Sequence, residues 1–156
     1  MRLRWFVVTC VLIGSLCVAS VAQASDASVR SAIETAGKQA KESPELQGAL
    51  KEIKSDPKTI AKLQKALTAF ETTLRKAAST VAAQEASTEN GRKGRSDWLG
   101  GIHKLIRGFE DLGTAVGDIK DGHKTAAKSE LKLAAAAIKA GGAEGKTGQA
   151  LLGVKR

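Results

Sequence analysis

Residues 57–86, PKTIAKLQKALTAFETTLRKAASTVAAQEA, carry the most regular hydrophobic pattern in the chain. Apolar side chains recur there at alternating intervals of three and four residues: Ile60, Leu63, Leu67, Phe70, Leu74, Ala77 and Val81. This spacing places them on one face of an α-helix, about 3.5 residues apart. The preceding Ser55-Asp56-Pro57 supplies capping and first-turn residues. The pattern therefore predicts a helix over 57–86 whose apolar face lies inside a bundle.

A second stretch has a matching pattern and predicts the partner of that helix. After Asp97, a candidate N-cap, the apolar residues again alternate by four and three: Trp98, Ile102, Leu105, Phe109, Leu112, Val116 and Ile119. Asp121-Gly122 is expected to end this helix. Because the two apolar faces are similar in length, we expect the two helices to pair.

Three shorter helices complete the predicted bundle. Ser25 or Asp26 can cap a first helix with a weak apolar stripe: Val29, Ala32, Ile33, Ala36 and Ala40. The sequence Ser43-Pro44-Glu45 opens a helix over about 44–54. A last helix over 123–140 places Ala127, Leu131, Ala134 and Ile138 inward and ends at Gly141-Gly142.

The predicted organisation is an all-α bundle of four to five helices. An N-terminal helical half over 25–87 is followed by a polar linker over 88–96, TENGRKGRS. A helical hairpin over 97–140 and a flexible, glycine-interrupted tail over 141–156 complete the chain. The second half of the bundle is rich in glycine: Gly100, Gly101, Gly108, Gly113 and Gly117. Each costs roughly 1 kcal/mol in a helix relative to alanine, so we expect a neighbouring element to contact this helix closely.

The first 24 residues are typical of a cleaved secretory signal peptide. Arg2 and Arg4 precede an apolar run over 5–18, and Ala22-Gln23-Ala24 is a small-residue cleavage site before Ser25. The apolar run is shorter than the roughly 20 residues that a membrane-spanning helix needs, so no stable transmembrane anchor is expected. Both cysteines lie inside this segment. The mature chain is predicted to be extracellular and free of cysteine.

Charge favours an acidic partner. Removal of Arg2 and Arg4 lowers the formal net charge from +9 to +7, and the excess lies after residue 56. A protein partner or an anionic surface fits this balance, and nucleic acid stays a candidate. The sequence does not determine the oligomeric state.

No residue pattern indicates catalysis, a cofactor or a metal. The segment over 140–147, AGGAEGKT, fits a loose nucleotide-loop pattern, but a helix enters it and nine residues follow, whereas the phosphate loop needs a preceding strand and a following helix. The two histidines, His103 and His123, have no zinc-site spacing and no cysteine to join them. The sequence predicts a protein that is not an enzyme.

Arg92 and Arg95 form an Arg-x-x-Arg pattern in the predicted linker, which is the minimal recognition pattern of furin-like processing proteases. Cleavage after Arg95 would release a chain that begins SDWLGGIHKLIRGF, similar to cationic amphipathic peptides. The alternative hypothesis is therefore a cationic defence or membrane-active protein, made as a precursor that is cleaved after Arg95.

Two resemblances bear on function. Residues 43–63 resemble the Asp-Pro helical repeats of stress-inducible co-chaperones, which implies a groove for apolar peptides; the matching residues are Pro44, Leu46, Leu50, Ile53, Asp56, Pro57 and Leu63. The plan of a leader followed by a lysine- and alanine-rich helical body is similar to small secreted effectors of plant-pathogenic oomycetes. Their Arg-x-Leu-Arg motif is absent, and the nearest sequence is Thr72-Thr73-Leu74-Arg75. This second resemblance implies virulence through host interaction and delivery into host cells.

The leading hypothesis is a secreted, non-enzymatic, basic helical protein that binds a host or extracellular partner. We predict that the contact residues are Trp98, Lys104, Arg107 and Phe109, on the glycine-rich helix. Ala24, Arg92 and Arg95 are the predicted processing residues.

Overall fold

The computed structural model describes residues 25–39, 46, 48–49 and 57–154. Four helices account for most of this part of the chain: α1 over 25–39, α2 over Pro57–Ala82, α3 over Glu89–Lys120 and α4 over Lys124–Leu151. Residues 46, 48 and 49 are also helical. The described ranges contain no strand, and the all-α bundle is confirmed. The leader and most of the segment resembling the co-chaperone repeats lie outside the described residues.

The predicted pairing of the two best-patterned helices is confirmed. The α2 residues with the three-and-four spacing face inward, and Leu67, Leu74 and Val81 are almost completely buried. Opposite them, Trp98, Ile102 and Ile106 of α3 belong to the same core. These large side chains fill the space between the two helices, and removal of their apolar surface from water stabilises the pair.

The two helices are antiparallel. Near one end, the Arg95 guanidinium donates a hydrogen bond to the Ala82 carbonyl oxygen at 2.9 Å. In the middle, the rings of Phe70 and Phe109 meet edge to face with centroids 4.8 Å apart. The α2 helix ends at Ala82, close to the predicted end at 86.

The α1 helix covers one end of this pair. Its buried residues Val29, Ile33 and Ala36 follow the predicted stripe. The Asp26 carboxylate accepts hydrogen bonds from the Ser87 amide, at 3.1 Å, and from the Thr88 hydroxyl. The connection between α2 and α3 is thus held by the first turn of α1.

The prediction of a linker over 88–96 is wrong, because α3 begins at Glu89. Thr88 is the N-cap, and its hydroxyl accepts a hydrogen bond from the Gly91 amide at 2.9 Å. Glu89 adds an acidic side chain to the first turn, which favours the helix N-terminus. Gly91 and Gly94 are buried contact positions, so their role is close packing and not chain reversal.

The flexible tail predicted over 141–156 is also wrong over most of its length. The turn at Asp121-Gly122 is confirmed, since Gly122 has a φ of 82°, but α4 then continues through Gly141-Gly142 to Leu151. Leu152 is buried in the core, and its carbonyl oxygen accepts a 2.7 Å hydrogen bond from Arg30 of α1. These contacts fix the helix end to the bundle.

Small residues explain why α4 continues. Every seventh residue on each helix of the hairpin is a buried glycine or alanine: Gly94, Gly101, Gly108 and Ala115 on α3, and Ala127, Ala134, Gly141 and Gly148 on α4. We call these two rows the small-residue seam. A Cβ at Gly148 would lie 2.5 Å from the Gly94 carbonyl oxygen and 2.5 Å from the Trp98 nitrogen. The backbones of α3 and α4 therefore touch.

The expected close contact is confirmed for three of the five glycines noted in the sequence, and two of these three belong to the seam. A Cβ at Gly101 would meet the backbone of Gly141 and Gly145, and a Cβ at Gly108 would meet the Ala134 carbonyl oxygen at 3.1 Å. Gly113, in contrast, has nothing within 4 Å of its Cβ position. Outside the rows, a Cβ at Gly100 would lie 2.8 Å from an oxygen of the Glu144 side chain, so it is the backbone contact that follows the seven-residue period.

Candidate functional site

The four predicted contact residues do not form one surface. Trp98 is 3% exposed, which corrects the prediction that its indole meets a partner. Phe109 is half-buried and packs on Phe70 of α2. In the sequence, an aromatic residue at helical apolar spacing fits core packing and partner contact equally well. In the structure, both aromatic rings pack in the core.

The two predicted cationic contacts lie on the outside of α3. The Lys104 ammonium forms an ion pair with the Glu144 carboxylate of α4 at 2.5 Å, which links the two helices of the hairpin. Arg107 is exposed. Of the four predicted residues, Arg107 alone is an exposed side chain for which the structure gives no partner in the described part.

The predicted processing residues are part of folded structure. Arg92 donates a 2.7 Å hydrogen bond to the Ser87 carbonyl oxygen, and Arg95 donates to Ala82 at the end of α2. Both lie in the first turns of α3, between the buried Gly91 and Trp98. A protease that needs an extended substrate would have to unwind these turns first. The third processing residue, Ala24, lies outside the described residues.

A shallow groove along α3, bordered by α2 over part of its length, was not predicted from the sequence. It consists of two open depressions of about 530 and 270 Å³, which share Leu99 and His103. Arg75, Arg92 and Arg95 stand around it. Arg75 pairs with Glu71 and Glu110, and Arg92 lies near Asp26. Two of the three charges that the groove offers to a ligand are therefore compensated at least in part by acidic side chains.

A long row of exposed positive charges lies on α4. Five exposed lysines follow the helix: Lys124, Lys128, Lys132, Lys139 and Lys146. At 100° per residue they occupy a sector of about 80°. We call this row the lysine face. Since the first and last lysine are 22 residues apart, the face is about 33 Å long.

No acidic side chain of the described chain forms an ion pair with the lysine face. The ion pairs between described residues involve other cations, Arg75, Lys93 and Lys104, and the His123 ring lies 3.6 Å from the Asp118 carboxylate. The two acids of α4 are placed away from the lysines: Glu144 binds Lys104, and Glu130 lies about 160° around the helix from the centre of the row. The positive potential of this face is therefore directed to solvent.

The small-residue seam determines where the lysine face points. Because the seam holds one side of α4 against α3, the lysine sector on the far part of the helix remains exposed. The sequence showed the C-terminal basic excess but placed the end of this helix at residue 140. Lys146 then fell in a predicted tail, and a continuous row of five lysines could not be recognised. A helix extended by the seven-residue repeat would have revealed it.

The described residues provide no other chemical constellation. No group of three or more His, Cys, Asp or Glu side chains lies together as a metal site in that part of the chain. No polar or charged residue described by the structure is buried. A search of the same residues finds no helix of sufficient length and hydrophobicity to cross a membrane.

Comparison with known protein families, with characterised proteins and with solved structures finds no match for this chain. The functional proposal therefore depends on the geometry and charge of the described residues.

Proposed function

We propose that the protein is secreted and acts as a non-enzymatic binding protein that attaches to an anionic partner. The surface that carries this proposal is the lysine face of α4. The sequence analysis placed the contact surface on α3, but Trp98 and Phe109 of that helix belong to the core. The proposed contact surface is therefore on the neighbouring helix, α4. Host interaction, as in secreted effectors, is one biological setting in which such binding would act.

The single observation behind this proposal is a row of five exposed lysines, none of which forms an ion pair with an acidic side chain of the described residues. Surface lysines in most helices alternate with acids, so their fields cancel within a Debye length of about 10 Å at 0.1 M salt. Here the charges add, because Lys124, Lys128 and Lys132 follow one another at four-residue intervals. An anion approaching α4 gains from several ammonium groups at once.

The test compares two variants with the same net charge. In the first, Lys128, Lys132 and Lys139 are changed to Gln; in the second, the exposed residues Lys38, Lys65 and Lys76 of α1 and α2 are changed to Gln. The probes are polyglutamate, vesicles containing phosphatidylglycerol, and heparin, each at about 0.05 M salt, where screening is weak.

We expect the lysine-face variant to lose about tenfold or more in affinity for at least one probe, and the control variant to lose less than about threefold, because the first removes three charges from one row and the second divides its changes between α1 and α2. Equal losses in both variants, or no binding of the unaltered protein to any probe, would contradict the proposal. Thermal unfolding of both variants checks that their stability is unchanged.

Secretion is tested separately by intact mass spectrometry of the protein collected from its native medium. The expected mass is that of residues 25–156, with the leader removed after Ala24. A fragment that begins at Ser96 would support the precursor alternative, in which cleavage after Arg95 releases a cationic chain. Retention of residues 1–156 inside the cell would contradict secretion.

A further inference from the structure

We infer that the anionic partner is an extended polysaccharide bearing sulfate or carboxylate groups, which lies along α4 from Lys124 to Lys146. This inference rests on the proposed function and narrows it from anionic partners in general to one chemical class.

The first reason is the shape of the charged surface. The axial intervals between successive lysines are about 6, 6, 10.5 and 10.5 Å, at 1.5 Å per residue. The row is straight, about 33 Å long and on the outside of an outer helix, so it is a ridge and not a pocket. A linear ligand with anions along its length can meet all five ammonium groups, whereas a compact anion would meet one or two.

The second reason is that small residues separate the lysines. Ala135 and Gly142 lie in the same sector of the helix as the lysine row, between Lys132 and Lys146. A chain lying along α4 could therefore come close to the helix backbone there. The lysine ammonium is a compact charge on a flexible stem with three donors, so it can follow sulfates or carboxylates whose spacing varies.

The third reason excludes insertion into a lipid bilayer as the main mode of contact. Interfacial helices bury an apolar face in the membrane, but the apolar face of α4 is occupied by α3. The exposed leucines of α4 lie on opposite sides of the row, Leu131 about 60° and Leu133 about 140° from its centre. A flat surface touching the lysine row would therefore reach Leu131 but not Leu133, and a single leucine is not an apolar face that can insert into a bilayer.

The fourth reason disfavours nucleic acids and acidic proteins. Single-stranded nucleic acids are bound with aromatic side chains on which the bases stack, and tight protein interfaces centre on Trp, Tyr or Arg anchors. The lysine face has neither aromatic residues nor arginine. Trp98 and Phe70 are buried elsewhere. A row of ammonium groups that contacts a row of anions, without stacking on bases or anchoring side chains, fits a polysaccharide.

The experiment measures the affinity of the secreted chain for heparin fragments of increasing length. We expect the affinity to rise with length until the fragment spans about 33 Å, and to rise only weakly thereafter, because no further lysine can be reached. The salt dependence gives the number of contacts. With five lysines the logarithmic slope should be about 3 to 4, if counterion release resembles that from a single nucleic acid strand.

Two variants sharpen the result. In the first variant, Lys124 and Lys146 are replaced by Gln. The affinity should then stop rising at a fragment length of about 17 Å, the distance from Lys128 to Lys139. The control replacement of Lys65 and Lys76 should leave that length unchanged. If the first variant reached its maximum affinity at the same fragment length as the unaltered protein, the inference would be overturned, since the ligand would then not follow the row.

Vesicles containing phosphatidylglycerol and single-stranded DNA of equal length serve as competitors at the same salt concentration. Stronger competition by either one than by heparin would overturn the polysaccharide inference while leaving binding to an anionic partner intact. If the lysine-face variants and the control variants lose affinity equally for every probe, both the inference and the proposed function fail.

Discussion

The α3 helix packs against α2 and α4 with two different kinds of surface. Towards α2 it presents large side chains, Ile102, Ile106 and Phe109, which interlock with Leu67, Phe70 and Leu74. Towards α4 it presents glycine and alanine at every seventh position, and the two backbones touch. Both contacts have a helical period close to 3.5 residues. One is stabilised by the volume of its side chains, and the other depends on their absence.

This difference predicts opposite responses to substitution. A contact made by large side chains is weakened when atoms are removed, because a cavity remains. A contact made by backbones is weakened when atoms are added, because the helices must move apart. Truncation should therefore weaken the contact of α3 with α2, and enlargement should weaken the contact of α3 with α4.

The largest effect is expected for Leu74→Ala in α2. Leu74 is 2% exposed and belongs to the core shared with α3. Truncation should lower the free energy of unfolding by about 3 kcal/mol, within the range for buried leucines, as measured by urea denaturation. Leu74→Met, which keeps the volume, should cost less than about 1.5 kcal/mol. A loss below about 1 kcal/mol for the alanine variant would show that α2 and α3 are not tightly packed there.

The next effect is expected for Gly101→Ala in the small-residue seam. The added Cβ would lie 2.5 Å from the Gly145 nitrogen and 2.7 Å from the Gly141 carbonyl oxygen, and these backbone atoms cannot rotate away. We expect a loss of about 2 kcal/mol in the free energy of unfolding, although alanine favours the helix itself.

Gly113→Ala is the matched control in the same helix. Nothing lies within 4 Å of its Cβ position, and Gly113 is outside the seven-residue rows. This variant should gain up to about 1 kcal/mol from helix propensity alone. The same urea titration measures both glycines. If both variants were stabilised, α3 and α4 would not be in backbone contact.

The two surfaces also differ in how well the sequence predicts them. Ile60, Leu67 and Leu74 gave a clear helical period, since large apolar residues are rare outside a core, and the α2–α3 pair was predicted correctly. Gly94, Gly141 and Gly148 are ordinarily turn and helix-end signals. The sequence therefore predicts a linker and a tail at these positions, whereas the role of a glycine depends on what faces it across the fold.

The candidate site shows the same limit. The basic excess of the C-terminal half was evident from the composition, but the lysine face emerges only when α4 extends past residue 140. Trp98 was predicted to be a contact residue because an aromatic side chain can serve either a core or an interface. In the fold it belongs to the shared core, and its backbone meets Gly148 of α4, contacts that local sequence patterns do not specify.

A smaller effect is expected where α1 meets the start of α3. Partial burial opposes ionisation of Asp26, but hydrogen bonds from Thr88 and Ser87 and the charge of Arg92 outweigh it, so the pKa of this carboxyl is lowered from its usual 3.8. Asp26→Asn should lower the free energy of unfolding by about 1 kcal/mol at neutral pH, because the neutral amide accepts weaker hydrogen bonds than the carboxylate and no longer attracts Arg92.

The pH dependence of this difference follows from the direction of the shift. A lowered pKa in the folded state means that the stabilisation is fully present above about pH 4 to 5 and is lost as the pH falls through the folded-state pKa. Denaturation of both proteins between pH 2 and pH 7 should therefore give curves that converge at the acidic end. A difference that persists unchanged at the lowest pH would mean that the charge of Asp26 contributes nothing.

The smallest effect is expected for the ion pair that crosses the small-residue seam. Lys104 and Glu144 join α3 to α4, but about half of the Lys104 side chain is exposed, so solvent screens the attraction. Lys104→Gln should change the free energy of unfolding by no more than about 0.5 kcal/mol. Glu144→Gln and the double variant complete a thermodynamic cycle that isolates the pair. A coupling above about 2 kcal/mol would mean that the hairpin depends on charge more than on backbone contact. A small coupling, together with a large loss for Gly101→Ala, would place the stability of the hairpin in the seam, and with it the orientation of the lysine face.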